Sequence, residues 1–270
     1  MVARAGICPT RLRCEYRSDP LGIGVVPPRL SWIPEAEERD QKQTAYRILV
    51  ATNEEDLEAE ENLLWDSGKI YSEESVNVSY EGEELRSGLH CVWKVRAWDK
   101  AGNPSPYSEP AMWEMGFLER SDWTGRWIGL GPDAVGDVEP PTGEEFDDVL
   151  RGLSPSPYLR KEFRLEKPVR RVRLYTTAWG VYEPYVNGER VGEDVLAPGW
   201  TDYRKRVQYQ TYDVTGLLAE GRNALGAVLG DGWYAGFVGF DPKHKGAHYG
   251  SRTHLLAQLW VVEHSLHLLR

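Results

Sequence analysis

The fold is decided by two segments of alternating side chains, QTAYRILVAT (residues 43–52) and HCVWKVRAWD (residues 90–99). Every second side chain in each segment is apolar, and this period of two is typical of a half-buried β-strand. The positions predicted to face a core are Tyr46, Ile48 and Val50 in the first segment, and Cys91, Trp93, Val95 and Ala97 in the second. Lys94 and Arg96 are predicted to point outward.

Strand patterns continue through the second half of the chain in YLRKEFRL, VRRVRLYTTA, VYEPYVNGERVG, RVQYQTYDV and NALGAVLG. The dipeptide Asn187-Gly188 predicts a type I′ hairpin turn. The acidic segment 54–64 predicts one short helix. Residues 254–262 are apolar on both faces, which predicts a strand in a sandwich interior.

These patterns predict an all-β chain of two β-sandwiches. We predict an N-terminal leader at residues 1–19, a first sandwich at 20–118 and a second at 119–270. Residues 131–157 are rich in Pro, Gly and acids and predict a long loop. Its carboxylates match no calcium-loop spacing; they are Glu144, Glu145, Asp147 and Asp148. Because the sequence stops just after an apolar strand, we expect the second sandwich to be truncated.

Composition excludes some classes of function. The 270 residues carry a formal net charge of -10, which argues against sequence-independent nucleic-acid binding. No stretch is long and apolar enough to cross a bilayer, and the N-terminus lacks a signal peptide, so we expect a cytoplasmic protein. The three cysteines, Cys8, Cys14 and Cys91, are too sparse for a disulfide framework or a zinc site. Cys91 is expected in the core.

Two motifs combine aromatic rings with glycines and polar groups: LAPGWTDYRKRVQYQTYDVT (residues 196–215) and LGDGWYAGFVGFD (residues 229–241). Rings cover the apolar face of a sugar, and carboxylates accept its hydroxyl protons. The predicted sugar contacts are Trp200, Asp202, Tyr203, Asp231, Trp233 and Tyr234. The alternative is structural, with a loop packing its neighbour and Trp200 plugging a core, since the 11 tryptophans must also fill cores.

Other candidate groups have plainer explanations. Asp231 and Asp241 resemble a glycosidase pair only in residue type, because acids near turns usually cap or face solvent. His244, His248 and His254 are loosely spaced, which favours a solvated loop over zinc. We assign no catalytic residue and no metal ligand.

Longer motifs carry a family resemblance. PRLSW, QTAYRILVA, LWDSGKI and VWKVRAWDKAGNPSPYSEPAMWEMGF resemble the fibronectin type III-like domain that opens many bacterial α-L-rhamnosidases. SDWTGRWIG, PYLRKEFRL, LYTTAWGVYEPYVNGERVGEDVLAPGWTDYRKRVQYQTYDVT, LGDGWYAGFVGF and HYGSRTHLLAQL resemble the jelly-roll module that follows it.

The resemblance implies a parent enzyme that hydrolyses terminal α-L-rhamnosyl groups in an (α/α)6 barrel, by inversion between two carboxylates. This chain would be a non-catalytic part, with the barrel and rhamnose-containing glycosides as its partners and no cofactor. Calcium-dependent rhamnose binders of the family use an Asp-Asn pair that this chain lacks. The alternatives are a free-standing carbohydrate-binding module and a fibronectin-type protein-interaction module.

Overall fold

A computed structural model of the protein describes residues 6–131, 155–238 and 246–263. The chain divides into two compact units, Met1–Trp123 and Thr124–Arg270. Each unit holds two antiparallel sheets, which confirms the predicted all-β fold of two sandwiches. Among the described residues, no helix has the length and apolar character to span a membrane.

The first unit is a sandwich of a three-stranded and a four-stranded sheet. The smaller sheet has the order β1-β2-β5 and the larger the order β4-β3-β6-β7. The strands are β1 (Cys8–Cys14), β2 (Arg29–Glu35), β3 (Ala45–Ala51), β4 (Trp65–Asp66), β5 (Val78–Ser79), β6 (His90–Trp98) and β7 (Ala111–Glu114). This three-plus-four arrangement is an immunoglobulin-type sandwich of the fibronectin type III kind.

Tryptophans fill the core between the two sheets. Trp32 of β2 lies between the sheets with Trp93 of β6 and Trp113 of β7, all of them buried. The inward faces predicted for β3 and β6 are confirmed, since Ile48 and Val95 are among the fully buried residues of this core. Because buried indoles dominate the apolar area, they supply much of the hydrophobic stabilisation of the unit.

The outer face of the larger sheet is also covered. Helix α1 (Glu54–Ala59) buries Leu57 against Leu49 and Val92, so β3 is buried on both faces. On the same sheet, Lys94 and Arg96 point outward as predicted, onto the ring of Tyr107.

Helix α1 is shorter than the predicted 54–64. The side chain of its N-cap residue, Asn53, accepts a hydrogen bond from the amide of Asp56. Glu60 then adopts a left-handed backbone conformation with φ 55° and ends the helix. The Asp56 carboxylate also accepts a hydrogen bond from Asn62 at 2.8 Å, which holds the chain in the turn toward β4.

The leader predicted at residues 1–19 is corrected by β1. Cys8–Cys14 pairs antiparallel with β2, and Leu12 and Cys14 are buried in the core. The alternation is hard to recognise because the register shifts between Thr10 and Arg13, where Arg11 has a φ of 49°. The sandwich therefore begins upstream of Pro20.

The second unit is a sandwich with sheet orders β11-β10-β13-β8 and β12-β9-β14. Its strands are β8 (Tyr158–Leu165), β9 (Val169–Trp179), β10 (Val181–Val186), β11 (Glu189–Arg190), β12 (Gln210–Asp213), β13 (Gly221–Gly230) and β14 (His254–Glu263), and a short helix α2 (Gly232–Ala235) follows β13. Asn187 and Gly188 both have positive φ between β10 and β11, which confirms the type I′ turn.

The chain crosses between these two sheets at Gly180, the single residue between β9 and β10. Its φ of 123° favours glycine, and a Cβ there would collide with the carbonyl oxygen of Gly230. The corner therefore lies against the end of β13, and this places Trp179 beside the start of α2.

The interior position predicted for the last strand is wrong. Within the described residues, β14 pairs along its length only with β9 and is a sheet edge. Leu255 and Leu256 are buried, but Trp260 is 37% exposed. The edge of β14 that faces away from β9 is paired at one place, where Ile128 and Leu255 exchange backbone hydrogen bonds of 2.9 and 2.8 Å. Strand β14 is therefore an edge strand whose free side is paired at this one place within the described residues.

The three cysteines are free thiols. Cys8 is exposed, and Cys14 and Cys91 are buried, which confirms the core position predicted for Cys91. Burial raises the pKa of both the Cys14 and the Cys91 thiol to about 12, so neither is a thiolate at neutral pH.

We predict that Asn223→Ala destabilises the second unit. Asn223 is buried, and its amide bonds Ala219, Gly221 and Asn187, closing the turn before β13. Removing it leaves buried polar groups unsatisfied, at a cost of about 2–3 kcal/mol. Amide hydrogen exchange in β13 measures this loss for the second unit alone. Arg222→Ala removes only an exposed ion pair with Glu162 and is the control; equal effects would contradict the prediction.

We also predict a pH-dependent role for Glu15. Its carboxylate accepts hydrogen bonds from the Arg29 backbone amide and guanidinium, and these bonds lower the pKa of Glu15 below its ordinary value of 4.5. A lowered native pKa stabilises the fold above pH 4.5, and this contribution disappears as the pH falls through the native value.

Glu15→Gln should therefore lower the melting temperature at pH 7 by a few degrees, and by progressively less in acid. Thermal unfolding followed by circular dichroism at pH 7 and at pH 3 tests this. Glu73→Gln, which breaks the exposed Lys42–Glu73 pair, is the matched control. A Glu15→Gln deficit that stays constant across this pH range would refute the linkage.

Candidate functional site

The candidate site lies in the second unit, where the start of β10 lies beside the end of β13. Val181 at the start of β10 pairs with Gly230 at the end of β13, and α2 begins two residues later. Gly232 has a φ of 51°, and a Cβ there would lie 2.6 Å from the Val181 side chain. The glycine therefore lets α2 pack directly against the corner at Gly180.

Aromatic side chains from distant parts of the chain meet around this corner. We call them the aromatic cluster; its members are Trp127, Trp179, Trp200, Tyr203, Trp233, Tyr234 and Tyr249. Four of the rings form a nearly parallel run. Centroid distances are 4.6 Å from Trp127 to Trp179, 5.6 Å from Trp179 to Tyr234 and 6.4 Å from Tyr234 to Tyr249. Such offset stacking stabilises the corner beyond simple burial.

The solvent-facing part of the cluster is the pair Trp200 and Trp233. The two indole planes are parallel to within 3°, with centroids 6.1 Å apart. Trp200 is 54% exposed, and its indole N–H donates a hydrogen bond to the Tyr249 hydroxyl at 3.4 Å. A large apolar ring held in place and still exposed is suited to contact an apolar ligand face. The exposure of Trp200 argues against the alternative that its ring fills a core.

Asp231 lies at the edge of a small pocket of about 80 Å³, which Ser251, Arg252 and Thr253 also line. Its carboxylate forms no hydrogen bond and no ion pair with any described residue, and partial burial alone raises the pKa of Asp231. An unpaired, partly desolvated carboxylate is a strong acceptor for ligand hydroxyl groups.

Asp202 and Tyr203 have structural contacts. The Arg204 guanidinium bonds the Asp202 carboxylate at 2.9 Å and lowers the pKa of that group. Tyr203 is only 8% exposed, and its hydroxyl donates to the carbonyl of Gly199. Tyr234 lies between the rings of Trp179 and Tyr249. A sugar contact by these three residues stays a prediction, and the contacts that they make are within the protein.

Sequence reasoning missed three cluster members and the pocket. Trp179 ends strand β9, Trp127 precedes Ile128, and Tyr249 belongs to a segment predicted only as a solvated loop. Their one signal is a recurrent pairing of aromatic residues with glycine, as in Trp179-Gly180 and Tyr249-Gly250.

Among the described residues, no three His, Cys, Asp or Glu side chains lie close enough together to hold a metal ion. The metal sites considered from the sequence therefore have no ligand set there. His248 lies edge-on to Tyr249, and His254 edge-on to Trp179. The remaining proposed ligands lie outside the described residues; they are Glu144, Glu145, Asp147, Asp148 and His244, together with Asp241 of the supposed acid pair.

Comparison with known proteins matches both units. Residues 9–119 match the family described as Rha78A-like, N-terminal immunoglobulin domain, and residues 167–265 match the alpha-L-rhamnosidase N-terminal domain. An alpha-L-rhamnosidase of Alteromonas sp. (strain LOR) is 39% identical over 233 residues, which cover 85% of this chain and 24% of that protein.

Two solved structures agree. The alpha-L-rhamnosidase from Dictyoglumus thermophilum matches with a TM-score of 0.79 and 36% identity, covering 94% of this chain and 27% of that one. The Streptomyces avermitilis alpha-L-rhamnosidase complexed with L-rhamnose matches with a TM-score of 0.82 and 29% identity, covering 94% and 39%. The chain thus spans about a quarter to two fifths of the length of these relatives. By these two family matches, the chain consists of domains of the kind found in the N-terminal region of α-L-rhamnosidases.

Proposed function

We propose that this chain is the non-catalytic N-terminal part of an enzyme that hydrolyses terminal α-L-rhamnosyl residues of glycosides. In this proposal a catalytic barrel of the parent enzyme performs the cleavage, and the second unit contacts the rhamnosyl substrate. The relatives support the first part because each is named an alpha-L-rhamnosidase and is much longer than this chain.

The observation that carries the substrate contact is the stacked Trp200–Trp233 pair, in which the Trp200 ring is exposed, in the same unit as the unpaired carboxylate of Asp231. Rhamnose is a 6-deoxy sugar, so it presents a methyl group and C–H faces as well as hydroxyl groups. Indole rings bind the apolar parts, and a carboxylate accepts from the hydroxyls. Arg252 and Ser251 in the Asp231 pocket add hydrogen-bond donors.

The same pocket supports a non-catalytic role. Hydrolysis with inversion uses two carboxyl groups about 6.5–9.5 Å apart, with water between them. Asp231 is the only acid among the described residues that line its pocket. The described lining can therefore accept a bond from a sugar hydroxyl, and within it no second carboxylate is present to activate water.

We predict that the 270-residue chain binds L-rhamnose weakly and that Trp200→Ala weakens this binding about tenfold, because stacking contributes roughly 1–1.5 kcal/mol. Isothermal titration calorimetry measures both affinities. Tyr158→Ala removes another exposed ring of the same unit, outside the cluster, and should leave binding unchanged. Absence of binding, or an equal loss in both variants, would refute the substrate contact.

Asp231→Asn should weaken L-rhamnose binding about three- to tenfold, since it replaces a charged acceptor by a neutral one of the same shape. Asp194→Asn is the control, because that carboxylate is occupied by the Tyr212 hydroxyl at 2.8 Å. The same titration applies to both. An Asp231→Asn affinity equal to that of the unaltered chain would remove Asp231 from the site.

The chain alone should not hydrolyse p-nitrophenyl α-L-rhamnoside. Release of p-nitrophenol, followed by absorbance against an enzyme-free blank, checks this, and a complete α-L-rhamnosidase serves as the positive control. Turnover that co-purifies with the chain and is lost in Asp231→Asn would show that cleavage takes place here and would overturn the non-catalytic assignment.

A further inference from the structure

The first unit contains a second cavity, unrelated to the aromatic cluster. It has a volume of about 330 Å³ and lies between the edge strands of the two sheets, β4 and β5. Its aromatic and apolar lining comes from Tyr46, Trp65 and Ile70. The volume is ample for a small organic group, which distinguishes it from a packing defect.

The walls of this cavity are anchored. The Trp32 amide donates to the carbonyl of Ser75 at 2.8 Å, and the Gln43 side chain donates to the carbonyl of Glu74 at 2.7 Å. Asn77 donates its backbone N–H to the hydroxyl of Ser31 at 3.0 Å. Because these bonds fix the segment that crosses between the sheet edges, the cavity is preformed and a ligand need not order it.

A buried polar group faces the cavity without a partner. Tyr46 is 7% exposed and packs edge-on against Trp32, with ring centroids 5.2 Å apart. Its hydroxyl forms no hydrogen bond with the described residues, yet the oxygen is not sealed from solvent. Burial, followed by the charges of Glu74 and Glu81, raises the pKa of Tyr46, so both carboxylates act on this hydroxyl. A hydroxyl that is held by a largely buried ring, open to the cavity and not hydrogen-bonded to any described residue, can bond a ligand there.

The charged side chains among the described lining residues are all acidic. The described lining residues include Asp66, Glu74 and Glu81, and none of them is basic. Asp66 is neutralised by Arg47 at 2.7 Å. Glu74 and Glu81 form no ion pair or side-chain hydrogen bond with any described residue. Two uncompensated carboxylates beside aromatic rings favour a cation with an apolar stem, through charge attraction and cation–π contact.

We infer that this cavity is a binding site for an alkylammonium group, which stacks its apolar stem on Trp65 and Tyr46 and places its charge between Glu74 and Glu81. The ammonium donates hydrogen bonds to the carboxylates and to the Tyr46 hydroxyl oxygen. A neutral sugar would leave the charge of both carboxylates uncompensated. The site is independent of the proposed substrate contact, since it belongs to the other unit and to another ligand class.

Butylammonium chloride is the probe, and 1-butanol is its uncharged counterpart. The Trp65 indole N–H signal, assigned by loss in Trp65→Phe, is followed by two-dimensional NMR of the full chain at constant ionic strength. Saturable shifts are expected with butylammonium and not with butanol. Binding should weaken as salt is added, because screening reduces the attraction.

The variants Glu74→Gln and Glu81→Gln should each weaken butylammonium binding about three- to fivefold, and the double variant about tenfold or more. Both side chains are exposed, so folding should persist, as circular dichroism will show. Glu58→Gln on the surface of α1 makes the same charge change outside the cavity and should bind as the parent does. Tyr46→Phe keeps the ring and tests the hydroxyl.

An acetylated, amidated Gly-Lys-Gly peptide, with norleucine in place of lysine as its control, identifies the source of the ammonium group. Tighter binding of the lysine peptide than of butylammonium would indicate a protein side chain, and equal or weaker binding a small amine. No saturable shift with butylammonium, equal binding of butanol, or full affinity in the Glu74→Gln/Glu81→Gln double variant would overturn the inference.

Discussion

The candidate site depends on the backbone of Gly180. The chain passes there from one sheet to the other within a single residue, at a φ that disfavours every side chain, in contact with Gly230. This crossing brings the end of β9, the start of β10 and the end of β13 to one place. Trp179 then becomes the middle ring of a stack that reaches from Trp127 to Tyr234. A residue with a Cβ at this position would separate the two strand ends and the rings with them.

The ring stack shows how one motif can stabilise the second unit and, in the proposed function, present a ring to the substrate. Tyr203 and Tyr234 contact other rings of the cluster, and Asp202 forms an ion pair with Arg204. These contacts surround the turn that carries Trp200, and the hydrogen bond of its indole N–H to the Tyr249 hydroxyl orients the exposed ring. A rigid exposed ring binds with a smaller entropy loss than a mobile one. The structural and functional explanations of this motif therefore apply to different residues of it.

Sequence alone predicts the features that depend on local periodicity. The inward faces of β3 and β6 follow from alternation, and the Asn187-Gly188 turn follows from its requirement for positive φ. Features that depend on partners distant in sequence escape such reasoning. Strand β1 is obscured by its register shift, the place of β14 depends on which strands pair with it, and Tyr249 joins Trp200 across 49 positions. The glycines at the corner could be noticed in the sequence, but the ring stack that they permit could not.

In both proposed sites the expected ligand follows from local compensation of charge rather than from the net charge of -10. At the Asp231 pocket one unpaired carboxylate shares the described lining with Arg252 and three hydroxyl side chains, so acceptors and donors are mixed. That balance suits a neutral polyol, which offers and accepts hydrogen bonds equally. None of the described residues that line the Tyr46 cavity is basic, and the nearby Arg47 is already paired with Asp66. A neutral ligand would bury part of that excess charge without compensation, and a cation with an apolar stem would not.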